Sequence, residues 1–165
     1  MTIPASRFIF GLTFFGCALL IAVALLMEHQ MLLEPCPLCI LQRIMVIVTG
    51  IIALIAAIQN PRELGIRIYG ALVVVSAATG GGIAIRQLWL QSLPEDLVPA
   101  CGASLDYLLD VFPLMDVLSM VLTGDGTCAE VLFTFLGISI PGWTLVGFVG
   151  LIVIGMLQVL RPVRD

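Results

Sequence analysis

Four stretches of this chain run almost without a polar side chain, and charged residues gather in the intervals between them. Phe8 to Met27 is twenty residues without a charge. At ~1.5 Å per residue a helix of that length crosses roughly 30 Å, the hydrocarbon thickness of a bilayer. A secretory signal is the competing reading of a first apolar run. Its apolar part would be about 7–15 residues long and end at a small-residue cleavage site. This run is longer and gives way to Met27-Glu28-His29-Gln30, so an uncleaved helix is predicted. The second run reaches Ile58 but is interrupted by Arg43, and the fifteen residues beyond Arg43 are too few to cross. That helix is therefore expected to begin near Cys39, with Arg43 in its second turn. Gln59-Asn60-Pro61-Arg62-Glu63 reads as a turn. Ile68 to Ile85 is a third run, bounded by Arg67 and Arg86. It contains Gly80-Gly81-Gly82, which weakens the helix or lets a neighbour or ligand come close. Trp143 to Leu160 is the fourth, opened by Pro141-Gly142 and closed by Arg161-Pro162, with Trp143 suited to an interfacial anchor.

The pattern predicts an all-α membrane protein. It is one domain over 1–165, a bundle of four transmembrane helices with spans at about 8–27, 39–58, 68–85 and 143–160. The connections at 28–38 and 87–142 would lie on one side. Within the longer one, positions 114, 117, 118, 121 and 122 are apolar at helical spacing, in a stretch too short to span. A helix lying in the membrane interface is the natural reading, and a short helix buried against the loop's own fold is the alternative. Thr123-Gly124-Asp125-Gly126-Thr127 then forms a flexible turn before Cys128.

Composition agrees: 61% of residues are apolar, 11% are charged, and mean hydropathy is +1.18. All seven cations are Arg and the net charge is −4. No basic patch exists, so nucleic acid is not an expected partner. Charge also orients the chain. Segment 87–142 carries Glu95, Asp96, Asp106, Asp110, Asp116, Asp125 and Glu130 and no Arg, whereas Arg7, Arg62, Arg67, Arg161 and Arg164 lie at the other ends of the runs. The positive-inside rule places both termini in the cytoplasm and the cysteine-bearing segments outside, in a bacterium the periplasm.

The candidate chemistry is sulfur. Cys36-Pro37-Leu38-Cys39 is a C-x-x-C at the start of a helix, where backbone N–H groups and the helix dipole favour an anion. Arg43 is four residues past Cys39 and shares its helix face. A static disulfide, half a metal site, or an arginine that merely reaches the headgroups are the plainer readings. Cys101 and Cys128 both follow stretches rich in Gly or Pro. A disulfide between them would be worth roughly 3.5 kcal/mol in the chain-entropy model, whether it stapled the loop or served exchange. Two such pairs on one face would form a relay, because thiol–disulfide exchange moves two electrons through mixed disulfides. No flavin, haem or nicotinamide signature appears, which leaves a lipid-soluble quinone as the acceptor at that depth. Cys17, in the first run, reads as a small buried apolar residue. His29, the single histidine, reads as a surface residue. The Phe8, Phe10, Phe14 and Phe15 cluster reads as packing.

Several motifs together closely resemble the DsbB family of disulfide-bond formation proteins. They are Cys36-Pro37-Leu38-Cys39-Ile40-Leu41-Gln42-Arg43, Pro99-Ala100-Cys101-Gly102, Cys128-Ala129-Glu130 and Phe135-Leu136-Gly137-Ile138-Ser139-Ile140-Pro141-Gly142-Trp143. The resemblance covers nearly the whole chain. It implies a four-helix protein of the bacterial inner membrane that re-oxidises a periplasmic DsbA-like thiol oxidase and passes electrons to ubiquinone or menaquinone, with no metal. By position, Cys101–Cys128 resembles the disulfide attacked by the reduced partner, Cys101 forming the intermolecular bond. Cys36–Cys39 resembles the quinone-coupled pair, with Cys36 exchanging with Cys128 and Cys39 contacting the quinone. Arg43 matches the arginine that stabilises that thiolate and the reduced quinone, and Gln91 resembles a residue near the ring. One position departs: many members carry His where this chain has Gln87, beside Arg86. Gln can hydrogen-bond a quinone oxygen but cannot carry a proton at neutral pH, so the charge falls to Arg86 and the proton route stays open.

Readings from other classes are a tetrahedral zinc site built from four Cys and a structural bundle with cysteines as staples. The spacing lacks a second C-x-x-C or paired His. Vitamin K epoxide reductase-like oxidases also couple C-x-x-C to quinone, but theirs lies late in the bundle.

Overall fold

The computed structural model describes residues 6–31, 36–94, 110–111, 113–123, 126–129 and 134–160. Four long helices carry the apolar runs: α1 (Ser6–Met31), α2 (Pro37–Gln59), α3 (Glu63–Gln91) and α6 (Ile140–Val159). Each is long and apolar enough to cross a membrane. Between α3 and α6 lie α4 (Leu114–Thr123), the single turn α5 (Gly126–Ala129), and a two-residue pair of strands, β1 (Thr134–Phe135) and β2 (Ile138–Ser139).

The ends of the helices follow from local sequence. Cys36 is the N-cap of α2 in extended backbone, and Pro37, which lacks an N–H, opens the first turn, where that donor would have no helical partner. The helix stops at Asn60, whose left-handed backbone (φ 44°) lets its N–H cap Ala56 O at 3.1 Å. Glu63 sits in the first turn of α3, where the dipole favours an anion. Ser139 and Pro141 open α6 in the same manner as Cys36 and Pro37 open α2.

The helices outrun the apolar stretches that announce them. The third continues past Arg86 to Gln91, so Gln87 to Gln91 are helical rather than part of the loop expected from Gln87 onward. The physical reason is that Gln87 and Leu90 lie on the inward face and are buried, while Arg86 stacks over the Trp89 ring at 4.4 Å on the outer face. The glycine triplet does not interrupt α3. A Cβ at Gly80 would come within 2.3 Å of Phe148 Cζ, so the missing side chain is where α6 seats its one fully buried aromatic.

Packing runs α1 on α2, α2 on α3 and α3 along α6. Lipid supplies no hydrophobic drive between helices, so small residues and polar pairs hold them. Gly70 and Gly155 meet backbone to side: a Cβ on either would stand 3.0 Å from the other's carbonyl oxygen. Thr49 and Ser76 share a buried hydrogen bond of 2.9 Å between α2 and α3. Cys17 is buried against Gly50, which fits its reading as a packing residue. Large apolar side chains such as Phe15, Leu19, Val75 and Leu157 point outward, as the lipid face of a bundle requires.

The short strands were not expected. Thr134 pairs with Ser139 and Phe135 with Ile138, and Leu136 (φ 53°) and Gly137 (φ 78°) turn the chain in the left-handed region that a two-residue hairpin demands. The hairpin feeds directly into α6. Helix α4 matches the apolar spacing at 114–122. Its Val117 and Val121 are buried against the end of the bundle, and Met115 is exposed.

Candidate functional site

The site lies where α2 begins and α3 ends. Cys36 and Cys39 are three residues apart across the first turn of α2, closed by Ile40 N–H donating to Cys36 O at 3.1 Å. That geometry brings the sulfurs to 3.1 Å, with Cys36 Sγ donating to Cys39 Sγ. Cys36 is 7% exposed, whereas Cys39 is half-buried and so retains an open side.

A third sulfur joins them. Cys128, fully buried on α5, hydrogen-bonds with Cys36 and packs in one cluster with Leu38, Leu90, Val117 and Val121. Helix α4 thus closes over the thiols with two valines, and α5 delivers Cys128 beneath it. Cys36 stands outside the membrane-spanning part of α2. Its hydrogen bond with Cys128, then that with Cys39, then burial hold its thiol well above the usual range. It remains protonated at neutral pH.

Beneath the sulfurs a pair of buried carboxamides links α2 to α3. Gln42 Nε2 donates to Gln87 Oε1 at 2.7 Å. Gln87 Nε2 in turn donates to Cys36 Sγ at 3.3 Å and to Cys39 Sγ at 3.2 Å. Cys39 Sγ also stands 3.6 Å from Gln87 Oε1. Both glutamines are 3% exposed.

Arg43, one turn past Cys39, reaches across to α1. Its Nη1 ion-pairs with Glu28, and its Nη2 donates to Ala24 O at 3.3 Å. A guanidinium in the second turn of an apolar helix needs such acceptors, and α1 provides both.

A protein-family model described as disulfide bond formation protein DsbB matches residues 6–158. The chain belongs to the DsbB family. Among curated relatives, the disulfide bond formation protein B of Marinobacter nauticus is 56% identical over 156 residues, which cover 94% of this chain and 93% of that protein. The protein of the same name from Saccharophagus degradans is 53% identical over 159 residues, covering 96% of each. That from Stutzerimonas stutzeri is 48% identical over 161 residues, covering 98% of this chain and 99% of the relative.

Of the residues that the sequence singles out in this DsbB-family chain, Cys36, Cys39, Cys128 and Gln87 meet in one cluster. Cys101 lies outside the described residues. Arg86 is on the outer face of α3, stacked on half-exposed Trp89. Gln91 lies one turn beyond Gln87 and accepts a hydrogen bond from Ser139 Oγ at 2.9 Å, tying the end of α3 to the start of α6. His29 is exposed, its Nδ1 2.9 Å from Leu25 O. Among the described residues no group of three or more His, Cys, Asp or Glu is placed to hold a metal ion.

Two residues escaped the sequence reading. Gln42 was passed over as part of a motif. Its signal was a carboxamide inside an apolar helix, on the turn that also carries Cys39. Glu28 was read only as a marker of the loop, although a carboxylate at the end of one span and an unpaired-looking arginine in the next are natural partners.

Proposed function

We propose that this chain is a thiol oxidase of the bacterial inner membrane that re-oxidises a periplasmic DsbA-like dithiol and uses ubiquinone or menaquinone as electron acceptor. The observation that carries this reading is the file of three sulfurs, Cys128 against Cys36 and Cys36 against Cys39, running from the loop into the first turn of a membrane helix. Static staples have no need of a third sulfur touching a C-x-x-C. The relatives' shared name, disulfide bond formation protein B, agrees with it.

The sulfur steps balance as successive exchanges. A partner thiolate attacks Cys101 of a Cys101–Cys128 disulfide, forming a mixed disulfide and releasing Cys128. The partner's second thiolate breaks that bond, so the partner leaves oxidised and Cys101 is freed. Cys128 then attacks Cys36 of a Cys36–Cys39 disulfide, and Cys39 leaves as the thiolate. Cys101 attacks Cys128, restoring the outer disulfide and releasing Cys36, which takes up a proton. Two electrons have moved from the partner dithiol to the inner pair, which now holds one proton, on Cys36, with Cys39 as the thiolate and the partner's other proton released to water. The tendency of Cys36 to hold its proton makes it the member that stays thiol, and Cys39 the one that leaves.

A quinone, when bound, supplies a two-electron, two-proton acceptor within the lipid. The residues fit such a group: a half-exposed sulfur at the end of an apolar bundle, with a carboxamide beside it and a guanidinium one turn on. Cys39, Gln87 and Arg43 would hold it, with Arg86 and Gln91 at the same end of α3. Arg7, Arg62 and Arg67 at the opposite end of the bundle, and the acids that the sequence gathers in 87–142, support cytoplasmic termini and periplasmic thiols.

The test is quinone reduction by the purified protein. Wild type should reduce quinone with either a reduced thioredoxin-fold partner or dithiothreitol as donor. Cys128→Ser should lose at least about 100-fold with the protein partner and keep most of the rate with dithiothreitol, because only the protein needs the outer relay. Equal loss with both donors, or no quinone reduction by wild type, would overturn the proposal.

A further inference from the structure

We infer that Gln42 is a positioning residue that fixes which end of the Gln87 carboxamide faces the two thiols, and through it shifts the thiol–disulfide equilibrium of Cys36 and Cys39. The inference rests on the proposed function only in taking that pair as redox-active.

A carboxamide has one face that donates and one that accepts, and the two exchange places by a half-turn about the last side-chain bond. Gln87 could therefore present either its NH2 group or its carbonyl oxygen to the sulfurs. Nothing in the sulfurs settles the choice, because a thiol can donate weakly to the oxygen or accept from the nitrogen. Gln42 settles it. Its Nε2 donates to Gln87 Oε1 at 2.7 Å, which draws the oxygen toward Gln42 and leaves it 3.6 Å from Cys39 Sγ, farther than the nitrogen at 3.2 Å. Both N–H bonds of Gln87 are then directed at sulfur, one at Cys36 (3.3 Å) and one at Cys39 (3.2 Å). The glutamines are buried to the same degree, so water does not compete for these contacts.

The orientation has a chemical consequence. An N–H donor stabilises a thiolate more than a thiol, and a carbonyl oxygen does the reverse. A thiolate also accepts more strongly than either sulfur of a disulfide. With the NH2 group turned inward, the reduced pair gains more than the oxidised pair, and the pair is a stronger oxidant of whatever reduces it. With the carboxamide free to turn, part of that advantage goes. Gln42 touches neither sulfur in this network, and its influence passes through one neighbour.

The experiment equilibrates full-length protein in detergent with graded mixtures of reduced and oxidised dithiothreitol. The Cys36/Cys39 peptide is then alkylated and its oxidised fraction read by mass spectrometry. Gln42→Met should move the equilibrium toward the disulfide by roughly tenfold, about 30 mV for a two-electron couple. Gln42→Asn keeps a polar side chain but draws the donor back by one methylene, and should shift it in the same direction. In a Gln87→Met background, either Gln42 change should add less than about twofold, since no carboxamide is left to orient. A mere packing defect would act alike in both backgrounds. Gln42 variants within about twofold of wild type, or equal shifts with and without Gln87, would overturn the inference. If the wild-type pair does not respond to dithiothreitol at all, the proposed function falls instead.

Discussion

Cys36 sits at the N-cap of α2, buried, and hydrogen-bonded on either side to Cys128 and Cys39, which together with burial raise its thiol. Cys39 is half-buried and faces the open side of the cluster. One motif therefore holds a protected, protonated sulfur and an accessible one. In the reduced protein at neutral pH, iodoacetamide should modify Cys39 at least about tenfold faster than Cys36, as mass spectrometry of the two adducts would show. A group whose folded value is raised gains thiolate only in alkaline solution, so Cys36 should begin to react appreciably only well above about pH 8.5. Equal rates at neutral pH would contradict this environment. The motif itself was legible in the sequence, as was the burial of Cys17. The contacts made by Arg43 and Gln42 were not. Each depends on a side chain from another helix, Glu28 and Gln87, and periodicity along one helix says nothing about the face of the next.

The long helices were legible because a run of uncharged residues about as long as a bilayer is thick has few other fates. Their ends were less so. Arg86, Gln87 and Gln91 interrupt the apolar run, yet Gln87 to Gln91 continue α3 because the end of the bundle offers Gln87 buried partners. The hairpin was missed because two-residue strands have no period to detect, although Leu136-Gly137 carries the glycine that its turn uses. The contact between α3 and α6 yields a prediction of its own. A side chain at Gly155 would meet Val74 Cγ2 at 2.7 Å and the Gly70 carbonyl oxygen at 3.0 Å. Gly155→Leu should force the helices apart and cost at least about 1–3 kcal/mol, read as a lower thermal midpoint in detergent. Gly150, five residues earlier, faces open space, and Gly150→Leu should leave the midpoint unchanged. Equal effects of the two substitutions would contradict the packing.

The described residues place the chemistry at one end of the bundle, where α2 starts, α3 finishes and α4 and α5 pack against both. In the proposed function the three sulfurs there would give reducing equivalents a direction, from a soluble donor inward to the depth of lipid. Charge along the chain agrees with that proposal, since the acids of 87–142 and Arg7, Arg62, Arg67, Arg161 and Arg164 segregate in the sequence. How far Cys128 travels into the bundle was not readable, because its position depends on α4 and α5 packing onto Leu38 and Leu90. The central claim is that electrons leave the protein through Cys39. It is tested most directly by the initial rate of quinone reduction in Cys39→Ala, supplied in turn with a reduced thioredoxin-fold partner and with dithiothreitol. The rate should fall to background with both donors, and a Cys39→Ala protein that still turns over at the wild-type rate would contradict the account.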